Sequence, residues 1–413
     1  MWPTYLLLAV FVLTYIGMAL GRMPGMRLDR TGIALLAVVC LLVSGLLEVD
    51  QAGQWIDLPT LVLLMGLMII SAQFAAAGAY DALARRLVNA RLSSQALLGL
   101  TIATAALLSA LLANDIIAFA MAPIIAEGTR QRGLDPRPFL IGLACACNTG
   151  SAATLIGNPQ NILIGQAGQL DFWAFAAVCA VPALLATLVV WLVVGWVWRQ
   201  TLAAEPSKPA ESGVLLRANG FSTWQTSKGV VAVLALLALF TTSQAKEISA
   251  LLVAAILLMS RVQASRDMLG AVDWHLLLLF ACLFIVTGSL SLTGFDQQAM
   301  AWLLGSGWDL EQPWLLAPLM LAGSNSVGNV PLVILMLSVW PQASEQALYA
   351  MALLSTLAGN LLIVGSLANI IVVERAAQVG VTLSFRAHAR CGIPVTLISM
   401  ALALAWLHWV GGF

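Results

Sequence analysis

Side chains able to hold a solute gather at four places in this chain. The densest is 144–165, ACACNTGSAATLIGNPQNILIG, where Asn148, Thr149, Ser151, Thr154, Asn158, Gln160 and Asn161 fall among Gly150, Gly157 and Pro159. Asn114-Asp115 lies in SALLANDIIAFAMAP, from Ser109, and Asn329 lies in SNSVGNVPLVILMLS, from Ser324. The last place runs from Gly359 and Asn360 through Gly365 and Ser366 to Asn369. No nucleophile–base pair and no phosphate-cradling glycine loop accompanies them, which argues against an enzyme or a nucleotide-driven pump. A membrane-embedded enzyme or a sensor without flux would need a catalytic pair or an appended soluble domain, and the sequence shows neither.

The surrounding elements explain why these residues matter. The chain of 413 residues is 61% hydrophobic and only 9% charged, against roughly 25% charged in ordinary soluble domains. An all-α polytopic membrane protein is the class that fits. With 19 basic and 19 acidic side chains the net charge is zero, so nucleic acid is not an expected partner and the lipid bilayer is. In such a chain Pro159 lacks the N–H of an unbroken helix, whereas Asn158 is a good N-cap and Pro159 a good first helical residue. Open backbone at membrane depth is tolerated only where it is buried in protein or lines a watery cavity. The stretch therefore reads as a helix broken at a solute or ion site. Of the six cysteines, Cys145 and Cys147 precede this break. Core packing is the bland reading for them, and a soft-ligand role stays open.

Apolar runs at 4–20, 31–47 and 58–77 are followed by an amphipathic piece, AYDALARRLVNARLS, expected to lie at the interface. Residues 1–21 have no basic n-region, so they read as an uncleaved first span. The run 95–126 is interrupted at Asn114, 139–170 is the broken helix, and 172–198 is a full span. Residues 199–228 are polar and Pro/Ser-containing, the mark of a mobile cytoplasmic connector between domains 1–198 and 229–413. The second half repeats the order: runs at 229–243, 248–260 and 274–290, an amphipathic piece near 294–306, an interrupted run at 313–340, a broken helix at 346–380 and a last span at 392–410.

Basic residues test the topology, because cytoplasmic loops are enriched in Lys and Arg. If both termini are outside, and 95–126 and 313–340 are re-entrant hairpins from opposite faces, only Lys246 of the 19 basic residues falls outside. The hairpin arrangement predicts about ten spans, two hairpins and two broken helices. The motifs pair across the halves: Asn114 with Asn329, Asn158 with Ser366 and Asn161 with Asn369. The first half starts outside and the second inside, so the repeats are inverted, the pattern of a secondary transporter with a site near the bilayer midplane. Helix N-termini at the breaks suit an anion, and carbonyl, amide and hydroxyl oxygens suit Na⁺. Lys and Arg are absent from the expected interior, which favours a dipole-based site. Asp115 is the one carboxylate placed deep in the membrane, either neutralising a helix dipole or carrying H⁺ or Na⁺. Its counterpart is Val330, so coupling through it would be asymmetric. His275, His388 and His408 are expected at span ends or loops.

ATLIGNPQN (153–161), LLANDIIAFAMAP (111–123), NVPLVIL (329–335) and STLAGNLLIVGSLAN (355–369) resemble the ion transporter superfamily. It includes the arsenite permeases, the NhaD-type sodium/proton antiporters and the divalent anion:sodium symporters with their citrate-transporter-like domain. The resemblance covers nearly the whole chain. It implies that Asn114, Asn158, Asn161, Asn329, Ser366 and Asn369 bind the substrate, and that Asp115, Asn148, Thr154, Gly157, Gly359, Asn360 and Gly365 serve the coupling ion, H⁺ or Na⁺. It also implies a homodimer and an elevator-like movement of the hairpin-bearing domain. The symporters carry Ser-Asn-Thr at each tip, whereas this chain has Ala113-Asn114-Asp115 and Gly328-Asn329-Val330, closer to the arsenite permeases. The reading is a secondary active transporter of a bacterial-type inner membrane. It moves a small anion or an arsenite-like oxyacid and needs no cofactor beyond its coupling ion. The alternative is a Na⁺(Li⁺)/H⁺ antiporter.

Overall fold

Apolar runs of this length can satisfy their backbone in a bilayer only as helices or closed barrels. The computed structural model describes residues 2–21, 25–204 and 220–410, and among them are α-helices and two short 3-10 turns, with no strand. The first half runs Trp2–Leu20, Arg30–Val43, the short Val49–Trp55, Leu58–Ala76 and the amphipathic Ala79–Asn89. Next come a hairpin of Ser94–Leu111 and Asn114–Gln131, a broken helix of Arg137–Ser151 and Pro159–Ala167, and Phe172–Val197. The second half repeats this order with Thr223–Leu239, Lys246–Leu258, Ser265–Gly270, Trp274–Gly288 and Phe295–Gly305. Its hairpin is Pro313–Ser326 and Asn329–Val339, its broken helix Glu345–Ala358 and Leu367–Gln378, and its last helix Phe385–Val410. Capping agrees across the halves. Asp57 accepts from the Thr60 N–H at 3.1 Å and Asp273 from the Leu276 N–H at 2.9 Å, each opening the third long helix of its half. Of the connector expected over 199–228, residues 205–219 lie outside the described residues, and the next helix already starts at Thr223.

By length and composition alone Ser94–Leu111 could cross a membrane. It is the first arm of a hairpin whose two outer ends lie side by side. Arg132, just past the second arm, donates to the Leu92 carbonyl at 2.8 Å and to those of Val88 and Ala90 at 3.0 and 3.1 Å, just before the first arm. The second hairpin is closed likewise: the Glu311 carboxylate accepts from the Ser344 N–H at 3.2 Å and from its hydroxyl. Each hairpin thus enters and leaves the fold at one end.

Basic residues distant in sequence converge. Arg130 donates to the Val379 carbonyl at 2.8 Å, Arg86 lies over the Phe221 ring and Arg137 over the Trp198 ring. Gln73, near the end of Leu58–Ala76, donates to the Gln225 carbonyl at 2.9 Å, which brings the start of the second half to the same end. The packed interior between the halves is built from the hairpins and broken helices. Cys145 and Cys147 are fully buried there, as core packing requires.

Candidate solute site between the hairpin tips and the helix breaks

Pro159 restarts the first broken helix, and the Asn158 side chain caps it by accepting from the Asn161 N–H at 2.8 Å. The unwound turns fold tightly against the helix ends that precede them. A Cβ on Gly157 would lie 2.4 Å from the Ser151 carbonyl oxygen, and one on Gly365 would lie 2.4 Å from Asn325 Oδ1. The contact at Gly157 cannot be relieved by a side-chain movement, because all its neighbours there are backbone.

The two breaks are pinned to each other by a network that repeats across the halves. Asn148 donates to Asn360 Oδ1 at 2.8 Å and to Asn369 Oδ1 at 3.1 Å, and accepts from the Ser366 hydroxyl at 2.8 Å. Thr356 occupies the matching place. Its hydroxyl accepts from Asn158 Nδ2 at 3.3 Å and Gln160 Nε2 at 3.2 Å, and donates to Asn161 Oδ1 at 3.3 Å. Asn161 Nδ2 then holds the Ser151 and Thr154 carbonyls at 3.2 and 2.9 Å, as Asn369 Nδ2 holds those of Gly359 and Leu362 at 2.8 and 3.1 Å. His388, expected at a span end, is instead buried beside this network with Nε2 3.1 Å from the Asn360 carbonyl oxygen. Six of the residues proposed from sequence as ligands, Asn148, Asn158, Asn161, Asn360, Ser366 and Asn369, thus form one hydrogen-bonded group. Gly359 lies against the Asn329 amide, and Thr154 donates to the Ala110 carbonyl at 2.5 Å.

The tips differ from the breaks. The first is tied to a break by the Asn114 N–H, which donates to the Gly157 carbonyl at 3.2 Å. The second is tied by Asn325 Nδ2, which donates to the Ala358 carbonyl at 2.9 Å. Asn114 and Asn329 are 4% and 7% exposed, and the Oδ1 atom of each has no hydrogen-bond partner among the described residues. An unpaired buried amide oxygen costs about 1–3 kcal/mol, so two at matching positions make the tips a candidate for ligand binding. Asn114 and Asn329 line one cavity of about 40 Å³ together with Asp115, Pro159, Gln160, Gly328, Gly365 and Ser366. A larger cavity, about 370 Å³, shares Asp115 and Pro159 with it and is otherwise mostly apolar, walled by Leu64, Leu67, Phe119, Ile156 and Leu276. It carries a second carboxylate, Asp273.

Sequence reasoning missed Arg30. The expected interior held no basic side chain, yet Arg30 lines the small cavity, its Nε donating to the Met18 carbonyl at 3.1 Å. Its position just before an apolar run reads as a loop charge, and only the packing of Arg30–Val43 against Trp274–Gly288 brings it inward. Asn325, Thr356 and Asp273 were missed as well. The repeat itself held a signal for Thr356, which falls opposite Asn148.

Two solved structures share the fold over nearly the whole chain. The YdaH transporter of Alcanivorax borkumensis superposes with a TM-score of 0.60 at 16% identity, covering 99% of this chain and 98% of its own. Neisseria gonorrhoeae MtrF gives 0.57 at 14% identity, covering 98% and 94%. In sequence, the silicon efflux transporter LSI3 of Oryza sativa subsp. japonica is 27% identical over 92% of this chain and 93% of its own length. A 46 kDa membrane protein of Mycobacterium leprae is 29% identical over 98% of each. The putative transporter arsB of Dictyostelium discoideum matches 38% of this chain at 27% identity. The citrate transporter (CitMHS) profile matches residues 10–348, and the chain belongs to that family of membrane transporters.

Proposed function

We propose that this chain is a secondary active transporter that carries a small oxyacid or anion across the membrane, coupled to H⁺ or Na⁺. The observation that carries the reading is that Asn114 and Asn329, whose amide oxygens have no hydrogen-bond partner among the described residues, come from different halves and line one cavity. Hydroxyl groups of an oxyacid, or a Na⁺ ion, would satisfy them. A cavity of about 40 Å³ has room for roughly three waters at 10–15 Å³ each. That size favours a compact oxyacid, such as the silicon or arsenic acids suggested by the names of LSI3 and arsB, over a tricarboxylate. The halves are read as inverted repeats, with both hairpins re-entrant from opposite faces. The end of the molecule where Arg86, Arg130 and Arg137 gather is read as cytoplasmic, leaving both termini outside, in a bacterial-type inner membrane. A homodimer with an elevator-like movement of the hairpins completes the reading.

Purified protein in liposomes tests it. Under an imposed pH or Na⁺ gradient, silicic acid or arsenite should accumulate, and citrate should be taken up poorly. Proton movement driven by Na⁺ or Li⁺ alone, with no solute flux, would replace this reading with a cation/proton antiporter.

A further inference from the structure

The two hairpin tips are seated differently. Counting on from the paired asparagines, Pro331 is the counterpart of Ile116 and Ile334 that of Phe119. In the second hairpin Ile334 is 4% exposed, and the Pro331 carbonyl oxygen accepts from the Tyr15 hydroxyl at 3.0 Å. In the first, Phe119 is 51% exposed and Ile116 lines the larger cavity. That cavity also takes in Ala113 and Asp115 of the first tip, and no residue from 313–339.

Tyr15 is buried and comes from Trp2–Leu20, far from the hairpin in sequence. Its hydroxyl oxygen also lies 3.1 Å from Thr287 Oγ1, on Trp274–Gly288. A phenol has one proton to give, so with that proton on Pro331 the Tyr15 oxygen accepts from Thr287. Three elements thus meet at one hydroxyl group. Two of them lie outside the hairpins and broken helices, and the third is the helix that begins at Asn329.

Resting on the transporter reading above, we infer that Tyr15 is a positioning residue for Asn329. Its hydroxyl holds the second tip shut against Trp274–Gly288, and the open way to the small cavity runs past the first tip. Pro331 lies two residues beyond Asn329 and lines the small cavity with it, so a shift at the Pro331 carbonyl moves Asn329 as well. Asp115 and Pro159 line both cavities, which places the junction between them at the first tip. Opening of the small cavity toward the other face then requires the Tyr15–Pro331 bond to break.

Val330, buried beside Asn329 and lining the small cavity, carries the reporter. Val330→Cys is made in a Cys40→Ala background, the other native cysteines being buried, and the full chain is reconstituted in liposomes. An impermeant maleimide is applied from each face, the faces being assigned with Arg91→Cys and Asp309→Cys. With Tyr15 intact the new thiol should label slowly, and only from the Arg91 face. Tyr15→Phe keeps the ring and removes the bond. It should speed labelling from the Asp309 face about three- to tenfold, the scale of one neutral hydrogen bond. Thr287→Val removes the donor to Tyr15 and should act in the same direction, which keeps the test decisive if Tyr15→Phe folds poorly. Thr287→Ser should label like the parent. Tyr80→Phe loses a comparable buried bond, to the Ser71 carbonyl at 3.3 Å, away from the second hairpin, and should change nothing. The inference is overturned if the parent already labels fast from the Asp309 face, if neither Tyr15→Phe nor Thr287→Val speeds that labelling, or if Tyr80→Phe speeds it equally. Solute uptake would still decide the transporter reading. Arg91→Cys and Asp309→Cys reacting from one face would sink the opposed-hairpin reading and this inference together.

Discussion

Asp115 and Val330 occupy matching positions beside two matching asparagines, and that single difference gives the site its asymmetry. Asp115 lines both cavities, whereas Val330 adds only bulk to the small one. A carboxylate in an apolar segment with no hydrogen bond among the described residues is, by default, expected to have a functional role. Asp115→Asn is therefore expected to leave solute flux measurable but insensitive to the imposed pH or Na⁺ gradient, in the liposome assay. A coupling profile identical to wild type would return Asp115 to neutralising a helix dipole. Asn114, Asn329 and Asp115 were legible as candidate site residues because polar groups are rare in apolar runs, and the structure sets all three around one cavity. Arg30 was not, since a residue at the edge of a run gives no sign of which way its long side chain turns.

The broken helices are held by their own side chains as much as by the fold around them. Asn158-Pro159 and the flanking glycines announced the first break in the sequence, and the cap at Asn158 forms as those residue types dictate. The cross-pinning by Asn148 and Thr356 was not legible, because an amide's partner on another helix depends on how the halves pack. Asn148→Ala would strand Asn360 Oδ1, Asn369 Oδ1 and the Ser366 hydroxyl. We expect it to lower unfolding stability by about 1–3 kcal/mol, with Thr356→Val doing the same from the other half. A melting curve in detergent checks this, and unchanged melting of both variants would show that the network is dispensable. Gly157→Ala drives a methyl into the Ser151 and Ser109 carbonyl oxygens, 2.4 and 2.8 Å from its Cβ. The backbone must shift, and overpacking of this kind costs about 1–3 kcal/mol. Transport should drop along with stability, because the Gly157 carbonyl also holds the first tip through the Asn114 N–H.

At the scale of the whole molecule, two halves with one order of elements bring residues of both hairpin tips to one cavity. The repeated order was legible in the paired motifs and in the succession of apolar runs. The membrane orientation can be checked with single cysteines in a Cys40→Ala background, the other native thiols being buried. Arg91→Cys and Gln131→Cys, exposed on either side of the first hairpin, should react with an impermeant maleimide from the same face. Asp309→Cys, exposed ahead of the second hairpin, should react from the opposite face. The central claim is that the halves build one shared site, with one amide oxygen from each. Uptake by liposomes containing Asn114→Ala, Asn329→Ala and the double variant tests it most directly. We predict that each single variant inserts normally and loses at least about tenfold in rate, a transition-state loss of roughly 1.4 kcal/mol, and that the double variant is little worse than the poorer single one. Wild-type uptake by both single variants, or two independent losses that multiply in the double, would contradict a shared site.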